Sequence, residues 1–178
     1  TPARPFGFGL SYTTFAYSDL EVDASVLAGG TFRAAVTVTN TGAVEGTDVV
    51  QLYGHDLLGS VARPVEQLLG YARVTVAPGA SARLEFTVPT TRLAFADRRV
   101  VRVVEPGDVE VWVASQAGVS ADGSSTRGTT GGAIPQQERR AAAVAGTATP
   151  RAVLTVAGEL HEGTPSATAR VEPPPPPP

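Results

Sequence analysis

Residues 32–39 alternate strictly. Phe32, Ala34, Val36 and Val38 fall on one side, and Arg33, Ala35, Thr37 and Thr39 on the other. A period of two places alternate side chains on opposite faces of a strand, and the β-branched bias suits a pleated, half-buried surface. The pattern recurs along the chain. Val50 and Leu52 oppose Val49, Gln51 and Tyr53; Leu84, Phe86 and Val88 oppose Arg83, Glu85 and Thr87; Val109, Val111 and Val113 oppose Asp108, Glu110 and Trp112. Further strands are predicted over 68–76, 100–104 and 152–156. Asn40-Thr41-Gly42, Pro78-Gly79 and Pro106-Gly107 supply turns between them. No amphipathic helix is legible before residue 115. Short strands at spacings of roughly ten residues, split by Gly and Pro turns, point to a sandwich or barrel. The simplest burial for the inward set (Val36, Val38, Val50, Leu52, Leu84, Phe86, Val109, Val111) is one sheet packed on another. The expected class is all-β.

Composition narrows what such a fold could do. The 178 residues are 42% hydrophobic, enough for one domain with a real core. A net charge of −3 makes no electrostatic case for nucleic acid or an anionic membrane surface. All 14 basic residues are Arg, and Cys is absent, so disulfides and thiolate metal sites are excluded. No stretch approaches the ~18 apolar residues of a membrane span. No leader peptide is legible, which has no bearing on compartment in a chain that opens mid-motif and without Met. That opening is read as the sign of a missing preceding domain.

The chain is expected to divide as follows. Residues 1–16 form an extended lead-in, rich in Gly and aromatics, and 17–115 form the sandwich. Residues 116–150 form a low-complexity insertion, disordered in its middle, with a short helical turn at 136–144. Residues 151–158 form a final edge strand, and 159–178 a disordered tail. The last six residues are prolines, a polyproline II rod of about 19 Å at ~3.1 Å per residue.

Residues able to carry chemistry are few. His55 and His161 are the only histidines, and neither has a partner at metal-ligand spacing. No Gly-x-Ser-x-Gly elbow is present. Cleaving a glycosidic bond takes two carboxyl groups ~5–9.5 Å apart. Asp108 and Glu110 share a strand face, about 6.8 Å apart by strand geometry, and Trp112 continues that face. A row of charges opposite a valine row is equally the pattern of a solvated sheet, and an open sheet offers no pocket to raise one carboxyl pKa. The solvated reading prevails. Trp112 remains a sugar-contact candidate, since its ring plane could stack on a pyranose, although sheet cover or domain docking suits it better. No catalytic, cofactor-binding or metal-binding residue is assigned, and no cofactor is expected.

The segment Phe6-Gly7-Phe8-Gly9-Leu10-Ser11-Tyr12-Thr13-Thr14-Phe15 resembles the lead-in to the C-terminal domain of family 3 glycoside hydrolases, the β-glucosidases and β-xylosidases. Val38-Thr39-Asn40-Thr41-Gly42, the run from Gly46 to Tyr53, Arg63-Pro64, Gln67-Leu68 with Gly70-Tyr71, Val76 with Pro78-Gly79, and Glu105-Pro106-Gly107 follow in the family's order. Phe8 stands where the family usually has His, and Ala114 where it usually has Gly. The resemblance covers about residues 5–115. It implies an immunoglobulin-like, fibronectin type III-like sandwich that is a non-catalytic accessory domain. The parent's nucleophilic Asp and acid/base Glu would lie in missing N-terminal domains of the same polypeptide, and oligosaccharide would be met only through the parent. Docking to those domains is expected from Phe6, Phe8, Tyr12 and Phe15, and from the loop of Arg63 and Pro64. A free-standing carbohydrate-binding or cell-surface module is the alternative, with Trp112 and Tyr53 or Tyr71 as its platform.

Overall fold

The computed structural model describes residues 4–61, 63–118, 149–163 and 170–172. In chain order its strands are β1 (Phe15–Val22), β2 (Ser25–Leu27), β3 (Thr31–Asn40), β4 (Gly46–Asp56), β5 (Gln67–Val76) and β6 (Ser81–Pro89). A 3₁₀ turn (Thr90–Leu93) is followed by β7 (Phe95–Ala96), β8 (Arg102–Val104), β9 (Gly107–Ala114), β10 (Arg151–Ala157), β11 (His161–Glu162) and β12 (Arg170–Glu172). They form two facing sheets, ordered β1-β3-β6-β12 and β2-β10-β9-β4-β5, and a small third sheet, β11-β8-β7. All eight residues expected to face inward are in the core between the two large sheets, with Phe32, Leu69, Val74, Val88, Val113 and Leu154 filling the space around them. Each large apolar side chain buried this way stabilises by roughly 1.5–3 kcal/mol. The helical turn expected at 136–144 and the terminal prolines lie outside the described residues.

The first strand begins inside the expected lead-in. Phe15, Tyr17, Leu20 and Val22 all pack on the core, although their spacing changes phase between Tyr17 and Leu20. A β-bulge is the reason. The β1–β3 register shifts between Ser18 and Glu21, and Asp19 adopts φ 51°. One extra residue flips the strand, so two odd and two even positions face the same way.

Three other expectations are corrected. Val100 belongs to the turn before β8, not to a strand, because Asp97 gathers that turn by accepting from the Arg99 and Val101 amides. The 151–158 strand is not simply an edge, since β2 pairs in parallel with Thr155–Ala157 on its outer side. The tail is not wholly without structure. β12 pairs antiparallel with β6, and Val171 packs on the core. With one apolar residue in three, β12 is too short for its periodicity to be read.

Where the sheets meet at one end, Asn40 is fully buried. Its Nδ2 donates to the carbonyls of Val44 and Val76, both at 2.8 Å. Its Oδ1 accepts from Thr13 Oγ1 at 2.6 Å and from the Gly42 amide at 3.0 Å. Its backbone carbonyl accepts from Gly79 and its amide donates to Ala80. Every hydrogen-bonding position of the side chain is used, and the bonds join β3, the end of β5, the 40–46 turn and the lead-in.

Asn40→Ala should strand two carbonyls, one amide and one hydroxyl. The expected cost is about 3–4 kcal/mol in urea unfolding; a loss under ~1 kcal/mol would mean that water replaces the amide. At Val100 the opposite sign is expected. This exposed β-branched residue is held at φ 63°, a conformation that Asn tolerates far better. Val100→Asn should gain about 1 kcal/mol by the same measurement.

Candidate functional site

The outer face of the β4–β9 pair is the least expected part of the structure. Gln51, Tyr53, Trp112 and Ala114 point away from the core, yet each is about 3% exposed. Tyr53 and Trp112 lie opposite one another in the β4–β9 register and stack with centroids 5.8 Å apart. Leu68 and Ala117 pack on them, making a second apolar cluster. The Arg151 guanidinium lies 4.7 Å from the Trp112 ring centroid and pairs with Glu110 at 2.8 Å. Trp112 is therefore sealed, and no pyranose can reach its ring plane. Asp108 accepts from Thr155 Oγ1, so both carboxylates of that face are engaged by cross-strand neighbours on β10. Burial, then the charge of Glu66, pushes the Tyr53 phenol up to about 12.

The lead-in lies over this face. Gly7 sits so close that a Cβ there would fall 2.2 Å from Gln51 Nε2 and 2.9 Å from the Ser115 carbonyl, and its φ is 82°. Only glycine accepts both the approach and the angle. The Phe6 carbonyl accepts from the Ala117 amide at 2.9 Å. Six residues later Thr13 is buried against Gly42 and Gly46, where a Cβ would lie 2.1 and 2.3 Å from its side chain. The lead-in is thus fixed at Gly7 and at Thr13, and the residues between bridge the two points.

Along that bridge the apolar side chains turn outward. Phe6, Leu10 and Tyr12 are exposed, Tyr12 completely, and Phe8 is partly covered by the Arg4 guanidinium 4.5 Å above its ring. Val49 and Tyr71 continue the exposed apolar surface onto β4 and β5. Four of the expected docking residues therefore separate: Phe6, Phe8 and Tyr12 are displayed, whereas Phe15 is committed to its own core. A shallow groove of about 320 Å³ lies beside Leu10 and Tyr12, with Glu45, Thr47 and Thr75 opposite.

Arg63 is turned inward. Its guanidinium pairs with Asp56 at 2.7 Å and approaches Glu105 at 3.9 Å, donates to the Leu93 carbonyl, and lies 3.5 Å from the Phe95 ring centroid. Burial lowers its pKa, while Asp56 and Glu105 act to raise it. The residue braces its loop with its guanidinium buried away from solvent, whereas Leu58, Pro64 and Val65 of the same loop are exposed.

Tyr17 on β1 donates to Asp48 on β4, a bond from one sheet to the other. Burial is the largest influence on both groups and raises both pKa values; the Asp48 charge pushes the Tyr17 phenol further up. A carboxyl raised by folding favours the native state most below its unfolded pKa, and that advantage is lost as pH rises through the folded pKa. Asp48→Asn, which keeps an acceptor for Tyr17, should therefore raise stability at pH 7, with the gain vanishing near pH 3. Unfolding curves at the two pH values check this, and an equal effect at both would refute the burial argument.

Residues 48–117 match the family model described as a fibronectin type III-like domain. The chain is 42% identical over 118 residues to a β-xylosidase of Formosa agariphila, an alignment covering 66% of this chain and 16% of the relative. It is 39% identical over 113 residues to the periplasmic β-glucosidase of Salmonella typhimurium, covering 63% and 15% respectively. Among solved structures, the family 3 β-glucosidase of Bifidobacterium adolescentis superposes with a TM-score of 0.63 at 28% identity, over 85% of this chain and 18% of that one. The chain thus spans about a sixth of the length of the relatives it matches. The matched residues 48–117 include most of β4 and all of β5 and β9, and the chain carries a fibronectin type III-like domain similar to part of these β-glucosidases and β-xylosidases.

Proposed function

We propose that this chain is the non-catalytic accessory domain of a family 3 glycoside hydrolase, and that it stabilises the parent's catalytic domains and shapes their cleft. Hydrolysis of terminal β-D-glucosides or xylosides, with retention, is then the work of residues outside this chain. The observation that carries the reading is the displayed row Phe6, Phe8, Leu10 and Tyr12. A segment fixed at both ends keeps its apolar side chains in water only at a cost of roughly 25 cal/mol per Å², which a docked neighbour removes. The relatives are about six times longer than the segment they share with this chain, so each has further chain that could cover the row. Oligosaccharide would then be met only at the parent's cleft. A free-standing carbohydrate-binding module is less well supported, since two of its three platform rings, Trp112 and Tyr53, are buried and only Tyr71 is displayed.

The Salmonella periplasmic β-glucosidase offers a test. Deleting its matching region should abolish aryl β-glucoside hydrolysis or lower its thermal midpoint by several degrees. Supplying residues 4–178 of this chain in its place should restore both, and Phe6→Ser with Tyr12→Ser in the graft should undo the restoration. A truncated enzyme as active and stable as the intact one would sink the accessory reading. So would hydrolysis by this chain alone, or its retention on cellulose or xylan.

A further inference from the structure

A glutamine on the outer face of a sheet is ordinarily solvated. Gln51 is not: its amide is spent inside the protein. Nε2 donates to the Ser115 carbonyl at 2.8 Å, and Oε1 accepts from the Tyr53 hydroxyl. The same side chain forms the floor against which the Gly7 backbone is pressed. One amide thus touches three separate pieces of chain: β4, the exit of β9, and the lead-in. Just beyond it, the Ala117 amide reaches the Phe6 carbonyl, and Glu66 accepts from the Gly118 amide with both carboxylate oxygens, at 2.7 and 3.0 Å. None of these bonds lies between the two large sheets.

We propose that Gln51 and Gly7 form a latch, with Gln51 as a positioning residue. It holds the exit of β9 in place so that the exit can pair with the lead-in, and it thereby sets the direction in which Phe6, Phe8, Leu10 and Tyr12 are presented. Gly7 is the complementary half, because any side chain there would need the space that the Gln51 amide occupies. The other end of the bridge, at Thr13, is held by Asn40 and lies within the core's own hydrogen bonding, so the Gln51 end is the one that can open without unfolding the sandwich. What the presented row is for rests on the accessory-domain reading; the latch itself does not.

Hydrogen exchange on the whole 178-residue chain separates the two. The amide of Ala117 should exchange at least tenfold faster in Gln51→Ala and in Gly7→Ala, while amides of β3 and β6 stay within twofold of the parent chain. Chymotrypsin cleavage after Phe8, Leu10 and Tyr12 should speed up in parallel. Gly7→Ala alters no core side chain, so it decides the matter even if Gln51→Ala fails to fold. An unchanged Ala117 amide in Gly7→Ala would overturn the latch, as would acceleration of β3 and β6 by the same factor, which is global destabilisation. Neither result would bear on whether the domain serves a glycosidase.

Discussion

The amide of Asn40 is the point on which the architecture turns. Packing two sheets face to face is driven by apolar burial, which has no preferred direction and does not say where a sandwich ends or how its connections cross. A buried amide does, because each of its four positions must find a partner in a fixed geometry or leave a polar group stranded. Asn40 finds partners on β3, at the end of β5, in the 40–46 turn and on the lead-in. The glycines beside it are there for the same reason. Thr13 can reach Asn40 only if Gly42 and Gly46 carry no side chain.

Several motifs that carry the family resemblance in the sequence thus have a common physical purpose. Val38-Thr39-Asn40-Thr41-Gly42 seats one end of the lead-in; Gln51 and Tyr53 form the floor and wall of the seat at the other end; Gly7 lies in it. Arg63 serves the neighbouring loop from within. Removing Arg63 alone would leave Asp56 and Glu105 near each other without their cation, a costlier state than replacing the whole group by apolar side chains. Tyr53 and Arg63 read as candidates for recognition in the sequence, yet the structure spends them on holding surface elements still.

How far the sequence could be read depends on where the period of two was unbroken. β3, β6 and β9 keep a single phase along their length, and every residue assigned inward there is buried. β1 was hidden because the bulge at Asp19 shifts its phase in mid-strand, so its four core residues never show one alternation. The outer cluster was hidden for a different reason. Val111-Trp112-Val113-Ala114 is an uninterrupted apolar run, the signature of a strand covered on both faces, and its outer cover includes Leu68 and Arg151, both distant from it in the chain. Charge type misled at Arg63, since nothing local distinguishes a guanidinium turned into its own loop from one offered to a partner.

β12 has a consequence for how this domain survives crowding. Without it, β6 would present a bare row of amides and carbonyls along the open side of its sheet, a template on which a second molecule could continue the ladder and begin a fibril. Arg170–Glu172 occupy that side opposite Glu85–Thr87, and the residues that follow in the sequence are prolines, which have no amide hydrogen to donate. Three residues therefore act as a selvedge over the stretch they cover, closing the weave where it would otherwise fray into its neighbours.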